Sequence, residues 1–239
     1  MKFNQFADKY DQYSEIQKDL IRWGCPILSQ IDYSNKIVLE LGAGTGCLTK
    51  ELLSYHPLKL IASDLSENML HIGTLKYPEA TWESADAWDL NGYQADIITS
   101  SSLLHWAPNP ISVLKGWHKN LKNGGLIQAL FYIDGNLKEM RLFDFFFERL
   151  IWHPMNTWIH FFKNAGFKLI MVKSLRKKYF YRTALQLFKS LKYSGGCRNN
   201  SLSFKYLKDM VTTYNETYNT PQGVQSTWHF GQIIAKKIE

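Results

Sequence analysis

The sequence predicts an α/β protein built on a mostly parallel sheet with helices on both faces. Between residues 36 and 132, short apolar strand patterns alternate with helical ones. A glycine-rich turn joins the first of those strands to the helix that follows it. The composition agrees: 239 residues, 45% hydrophobic and 21% charged, suffice for one large α/β core and fit a globular rather than a disordered chain.

The elements follow in order. Ile16, Leu20, Trp23, Ile27 and Ile31 recur at three- and four-residue spacing, so residues 11–31 read as one amphipathic opening helix. Lys36-Ile-Val-Leu-Glu-Leu41 is the first strand, and the turn after it opens a helix carrying Leu48, Leu52 and Leu53 on one side. Leu58-Lys-Leu-Ile-Ala-Ser63 is the second strand, with Ser66 placed to cap a helix that holds Met69, Leu70 and Leu75. Further strands are read at 80–85, 95–101 and 125–132, with a helix over 111–121 before the last. A helical insertion over 136–151, rich in phenylalanine (Phe143, Phe145, Phe146, Phe147), must pack on another surface. A helix over 156–164, a strand over 167–175, helices over 182–192 and 203–218 and a closing strand over 227–235 complete the chain. No repeat or low-complexity linker interrupts it, so 1–239 is expected to form a single domain.

Charge is unevenly placed. The net +7 arises from residues 159–239, where 14 Lys and Arg face three acids, while residues 1–158 carry 14 against 18. Such a surface would steer acidic partners, or it is simply a solvated basic face. Cys25, Cys47 and Cys197 are few, odd in number and scattered, which argues against a disulfide framework or a zinc site, and no metal is expected. No stretch reaches membrane-span length, and Met1-Lys-Phe-Asn-Gln-Phe6 has no apolar signal core, so a cytoplasmic location is expected.

The chemistry concentrates around Glu40-Leu-Gly-Ala-Gly-Thr-Gly46. Glycines at alternate positions after a strand let the backbone turn sharply and approach a ligand, although a tight strand-to-helix connection needs the same residues. The spacing is not the G-x-G-x-x-G that cradles a pyrophosphate, and the carboxylate of Glu40 suits a cationic ligand end better than a diphosphate. Asp64, ending the second strand, is an acceptor-only group able to take both hydroxyl protons of a ribose; taken singly it would equally serve as a cap or turn residue. Asp86 after the third strand supplies an acceptor for an adenine amino group, with Ala87 small enough to bring its backbone N–H to the ring.

Over residues 30–132 this arrangement resembles the class I S-adenosylmethionine-dependent methyltransferases. The resemblance implies a Rossmann-like, mostly parallel seven-stranded sheet with helices on both faces and a small helical lid. It places Glu40, Gly42, Ala43, Gly44 and Gly46 at the methionine end, Asp64 on the ribose, Leu65 and Met69 on the adenine faces, and Asp86 with Ala87 on the adenine edge. Ser100-Ser-Ser-Leu-Leu-His-Trp106 matches the fourth-strand motif that floors the active site, giving Ser101 a place in the cofactor set. The absence of an Asn-Pro-Pro-Tyr type sequence there speaks against methylation of base amino groups.

Beyond that region the chain is similar to the malonyl-acyl-carrier-protein O-methyltransferases of biotin synthesis. Phe3, Ala7, Tyr10, Ile16 and Gln17 follow the family's N-terminal lid pattern, Gly135-Asn-Leu-Lys-Glu-Met140 resembles the start of its inserted lid helices, and Leu187-Phe-Lys-Ser-Leu-Lys-Tyr-Ser-Gly-Gly196 and Trp228-His-Phe-Gly-Gln-Ile-Ile-Ala235 resemble its later motifs. Lys189 stands where the family has Arg and Gly196 where it has Ala; a lysine cannot offer arginine's bidentate fork. The likeness implies an N-terminal lid over 1–31 and helical substrate elements over 134–165 and 182–218. It further implies transfer of a methyl group to the free carboxylate of malonyl-acyl carrier protein, the step that starts pimeloyl and so biotin synthesis, with S-adenosylhomocysteine as product. Tyr10 and Gln17 would lie over the ligands, and Arg149, Lys189 or Lys192 would hold the substrate carboxylate. Arg176, Lys177, Lys178 and Arg182 would join Lys189 and Lys192 in docking the acidic carrier. A monomer is expected, with neither nucleic acid nor membrane as partner. Another small-molecule acceptor would share every cofactor residue; a nucleic-acid module, or a cofactor-binding regulator without turnover, would also use parts of the pattern.

Overall fold

The computed structural model describes residues 2–143, 151–195 and 203–238. Two short helices, α1 (Lys2–Gln5) and α2 (Ala7–Tyr13), precede α3 (Glu15–Leu28). The single opening helix read from the sequence is therefore broken at the buried Ser14, whose φ of −94° and ψ of 29° leave the helical well. Tyr13 there gives its carbonyl to the hydroxyl of Ser190 (3.1 Å), so a tertiary contact turns the chain where periodicity alone continues it.

The sheet comprises β1 (Ile37–Leu41), β2 (Lys59–Asp64), β3 (Thr81–Ser84), β4 (Ala95–Ser101), β5 (Leu121–Tyr132), β6 (Phe167–Tyr181), β7 (Asn219–Thr220) and β8 (Gly223–Lys237). Seven strands lie in the order β3, β2, β1, β4, β5, β8, β6, and the two-residue β7 folds back on the start of β8. The first five are parallel, whereas β8 runs antiparallel to both of its long neighbours. This is the mostly parallel α/β sheet that the sequence predicts, with one extra short strand.

Central position explains the composition of β1. Paired on both sides, with Glu40 opposite Ala62 and Thr99, it buries Val38, Leu39 and Leu41 on alternate faces. One face packs against α3, α4 (Cys47–Leu53), α8 (Ala184–Tyr193) and α9 (Phe204–Tyr218) through Leu20, Leu48, Leu187 and Tyr214. The other is covered by α6 (Pro110–Lys119) and α7 (Met155–Asn164) through Trp117, Trp158 and Phe162. α5 (Glu67–Lys76) lies along β2 and β3, capped by Ser66, whose hydroxyl accepts from the Met69 amide.

Two strands exceed their expected length. β6 runs to Tyr181 rather than 175, and β8 starts at Gly223 rather than 227, so together they form a ribbon that outruns β5. The exposed Arg176-Lys-Lys178 run hides this extension from a hydrophobicity pattern, because among the described residues β6 is an edge strand that pairs with β8 alone. Within the expected helical insertion, the described residues form a 3-10 turn at Lys138–Leu142 that is pinned by Glu139. That buried carboxylate accepts from the Thr227 amide (2.9 Å), the Thr227 hydroxyl (2.5 Å) and Gln225 (3.1 Å). Phe145, Phe146 and Phe147 lie outside the described residues.

Candidate active site

The glycine turn sits at the carboxyl end of β1, where open α/β sheets present their ligands. Gly42, Gly44 and Gly46 adopt φ of 67°, 56° and 91°, the left-handed region that side chains disfavour. Gly44 shows what the turn accomplishes. A Cβ on it would meet no atom within 4 Å, because its open face looks into a cavity of about 420 Å³, while its amide donates 2.9 Å to Asp64 Oδ2. That volume lies in the range of small-molecule sites.

Tyr10, Gly42, Gly44, Asp64, Leu65, Met69, Asp86, Ala87 and Ser101 all border this cavity. Gln17, Glu40 and Ala43 border a small adjoining chamber, which shares Tyr10, Gly42, Gly44 and Ser101 with the larger one. The sequence thus nominates residues that the fold does gather. Gly46 instead begins α4, and a Cβ there would strike the Tyr77 ring, so its position is required by packing. Lys189 and Lys192 do not border either space. The buried residues of α8, Ala184, Leu187, Phe188 and Leu191, define its inner stripe and leave both lysines exposed. Lys192 lies over the Phe6 and Tyr193 rings (5.8 Å each), and Lys189 lines a separate groove. Arg149 is outside the described residues.

The electrostatics favour a polar ligand with a cationic end. Burial lifts Glu40 to about 8, against the hydrogen bond it accepts from Thr49 Oγ1 (2.6 Å) and with help from the nearby Asp64 charge. Burial also raises Asp64, although the Ser66 amide (2.8 Å to Oδ1) and the Gly44 amide work the other way. Asp86 accepts from the Trp88 amide at 2.8 Å, which shapes the loop after β3. Ser101 Oγ and Gln17 Oε1 are buried with no hydrogen-bond partner among the described residues, leaving capacity aimed at an occupant. Burial pushes Tyr10 upward, so its phenol remains a proton donor. His105, also buried, is lowered to about 3 and stays neutral, stacked on Trp152 at 5.4 Å.

Several residues at the site were not legible beforehand. Ser102 borders both spaces with a left-handed φ of 56° and donates to Tyr132 Oη at 3.4 Å. Two polar latches hold α1 and α2 across the cavity. Asn4 accepts from the Ser66 hydroxyl (2.7 Å) and the Asn68 amide (3.1 Å) at the start of α5. Asp11 accepts from Thr45 Oγ1 within the glycine turn (2.6 Å) and pairs with Lys76. Burial would raise Asp11, but the hydrogen bonds from Lys76 and Thr45 hold it below the ordinary carboxylate value. Lys18 borders the small chamber and donates to the Asp11 carbonyl at 2.5 Å.

Residues 39–127 match the family model described as a methyltransferase domain. Residues 39–127 are thus a methyltransferase domain, with S-adenosylmethionine as its cosubstrate. Across nearly its whole length the methyltransferase is 26% identical to the malonyl-[acyl-carrier protein] O-methyltransferase of Priestia megaterium, covering 95% of this chain and 93% of that one. It is 24% identical to the protein of the same name from Acetivibrio thermocellus, covering 99% and 92%. Among solved structures, a candidate methyltransferase from Bacillus halodurans superposes with a TM-score of 0.70 at 16% identity, over 92% of this chain and 99% of that one; at that identity the likeness is one of fold.

The geometry of this methyltransferase fits its cosubstrate. The cavity is large enough, one wall is backbone without a Cβ, the half-buried Asp64 lines it while the buried Glu40 lines the adjoining chamber, and Ser101 offers an unpartnered hydroxyl to both. Among the described residues there is no cluster able to hold a metal ion and no helix long and apolar enough to cross a membrane.

Proposed function

We propose that this methyltransferase esterifies the free carboxylate of a malonyl thioester carried on an acyl carrier protein, the reaction that opens pimeloyl and biotin synthesis. One observation carries the reading. The likeness to proteins named malonyl-[acyl-carrier protein] O-methyltransferase runs through the lid and C-terminal segments and not only through residues 39–127.

In this reading Asp64 takes the ribose hydroxyls, Leu65 and Met69 flank the adenine, and Asp86 with Ala87 meets its edge. Gly42, Ala43 and Gly44 give the methionine portion close backbone approach, Glu40 and Gln17 face its charged end, and Ser101 floors the site. S-adenosylmethionine supplies an electrophilic methyl carbon on a sulfonium. The acceptor carboxylate is ionised at neutral pH, since free carboxyls titrate near ~4. Its oxygen bonds to the methyl carbon as the carbon–sulfur bond breaks and the electron pair stays on sulfur. No proton moves, so the chain needs no general base. The protein orients the acceptor and excludes water. Tyr10, kept protonated by burial, can donate to the acceptor oxygen that does not attack.

The position of Lys189 and Lys192 outside the cavity favours a second reading, in which the acceptor is a smaller molecule needing no cation from α8. Incubation with methyl-labelled S-adenosylmethionine and malonyl-carrier protein, malonyl-coenzyme A or free malonate separates the two. Base-labile label on the carrier is the expected result. Cofactor binding with no transfer to any malonyl compound would overturn the proposal.

A further inference from the structure

The small chamber beside the main cavity has a volume of about 30 Å³, room for about two water-sized groups. Two acceptors border it: the buried carboxylate of Glu40, and Gln17, whose Oε1 is buried with no hydrogen-bond partner among the described residues. A single cation borders it as well. Among the described residues that line either space, Lys18 alone is basic; the charged residues of the larger cavity are Asp64 and Asp86.

Lys18 is held in place without being neutralised. Its amide closes the first turn of α3 on the Ser14 carbonyl (3.0 Å), and its Nζ donates to the carbonyl of Asp11 in the last turn of α2 (2.5 Å). An ammonium has three N–H donors, so two remain. The Asp11 carboxylate lies within its electrostatic reach but is already taken by Thr45 and Lys76. The Cys47 thiol, also within reach, is pushed up to about 11, chiefly by burial, and stays neutral at pH 7. Lys18 therefore forms no ion pair among the described residues.

We propose that Lys18 binds the carboxylate of the cosubstrate's amino-acid tail and, through the Asp11 carbonyl, ties occupancy of the chamber to the seating of α2; this rests on the proposed placement of the ammonium at Glu40. The two ends of the tail sort by hydrogen-bonding type. An ammonium only donates, so it takes Glu40 and Gln17 Oε1. A carboxylate only accepts, and the charged donor that the chamber offers it is Lys18. Lys18 then reaches the ligand and the end of α2 at once, while Asp11 fastens the same helix to the glycine turn. A nucleoside without the carboxylate would occupy the larger cavity and leave α2 less firmly held.

Titration calorimetry on the full chain, with S-adenosylhomocysteine and its decarboxylated analogue, tests the assignment. Wild-type protein should bind the complete ligand about tenfold more tightly, the loss expected for a charge-assisted contact. Lys18→Met should bring the two affinities together, and Lys18→Arg, which keeps the charge, should preserve most of the preference. A tenfold preference that survives Lys18→Met overturns the carboxylate contact, even if both affinities fall through damage to the fold. With each ligand at saturation, hydrogen exchange of the α2 amides should slow for S-adenosylhomocysteine and not for the decarboxylated analogue; equal slowing by both overturns the link to α2. The deaminated analogue probes the placement beneath the proposal. A preference for the complete ligand over it that persists in Glu40→Gln, while Lys18→Met behaves as expected, would reject Glu40 as the ammonium site and retain Lys18. None of these readouts involves a methyl acceptor, so they decide the role of Lys18 whatever compound is methylated.

Discussion

Gly44→Ala separates the cost of a strained turn from the loss of a ligand. The residue has a φ of 56°, and an added Cβ would meet no protein atom within 4 Å. Packing therefore contributes nothing to the penalty, and what remains is the left-handed backbone, about 1–2 kcal/mol for a residue bearing a Cβ. For a protein of this size about 1 kcal/mol moves the melting temperature by about 2–4 °C, so a fall of about 2–8 °C is expected. Gly92→Ala supplies the matched control, since its φ of 83° and open surroundings impose the same strain in an exposed turn. Only Gly44 presents its open face to the cavity. Thermal melts should show both variants weakened alike, while calorimetry should show at least a tenfold loss of S-adenosylmethionine affinity, about 1.4 kcal/mol, for Gly44→Ala alone. Wild-type affinity in Gly44→Ala would refute the claim that the ligand passes over this backbone.

Three further outcomes follow from the buried titratable groups and from the anchoring of α2. Glu40, lifted to about 8 from 4.5, holds its proton at pH 7 in the ligand-free protein, so stability declines as pH rises through that interval, where the unfolded chain has already released it. A bound ammonium favours the carboxylate, so cofactor uptake at pH 7 should release a proton, visible by calorimetry in buffers of different ionisation enthalpy; the same release in Glu40→Gln would remove Glu40 from that role. His105, lowered to about 3 from 6.5, makes the folded state lose stability as pH falls below 6.5, and His105→Phe should unfold at lower pH than wild type; an unshifted acid midpoint counts against it. Asp11→Ala deprives the buried Thr45 hydroxyl of its acceptor and frees α2 from Lys76, and stopped-flow should show cofactor dissociation about tenfold faster, ~1.4 kcal/mol in the bound state; an unchanged off-rate would mean that anchoring α2 does not retain the ligand.

The cofactor side of this molecule is readable in sequence because its chemistry is local. Glycines that must take positive φ, and carboxylates that end consecutive strands, are specified by residue type and by short spacings within residues 40–87. The contacts that bring the other elements to the glycine turn are not local. Asp11 meets Thr45 across 34 positions and Ser190 meets Tyr13 across 177, and neither pair leaves a periodic trace. Ser102 is an ordinary serine until its backbone is seen in the left-handed region. Lys189 and Lys192 belong to a motif whose order is recognisable, yet which helical face turns inward depends on Leu187 and Leu191 finding the core, and that face excludes both lysines.

The extra length of β6 and β8 ties these two sides together. A sheet ending level with β5 would offer its carboxyl edge to solvent, with nothing to carry a second wall. By running past β5, the ribbon holds α8 and α9 over the same face as α3, and Tyr179 of β6 together with Lys177 binds Asp19 of α3. The Ser14 corner is then clamped between two rigid supports, the ribbon through α8 and the glycine turn through Asp11.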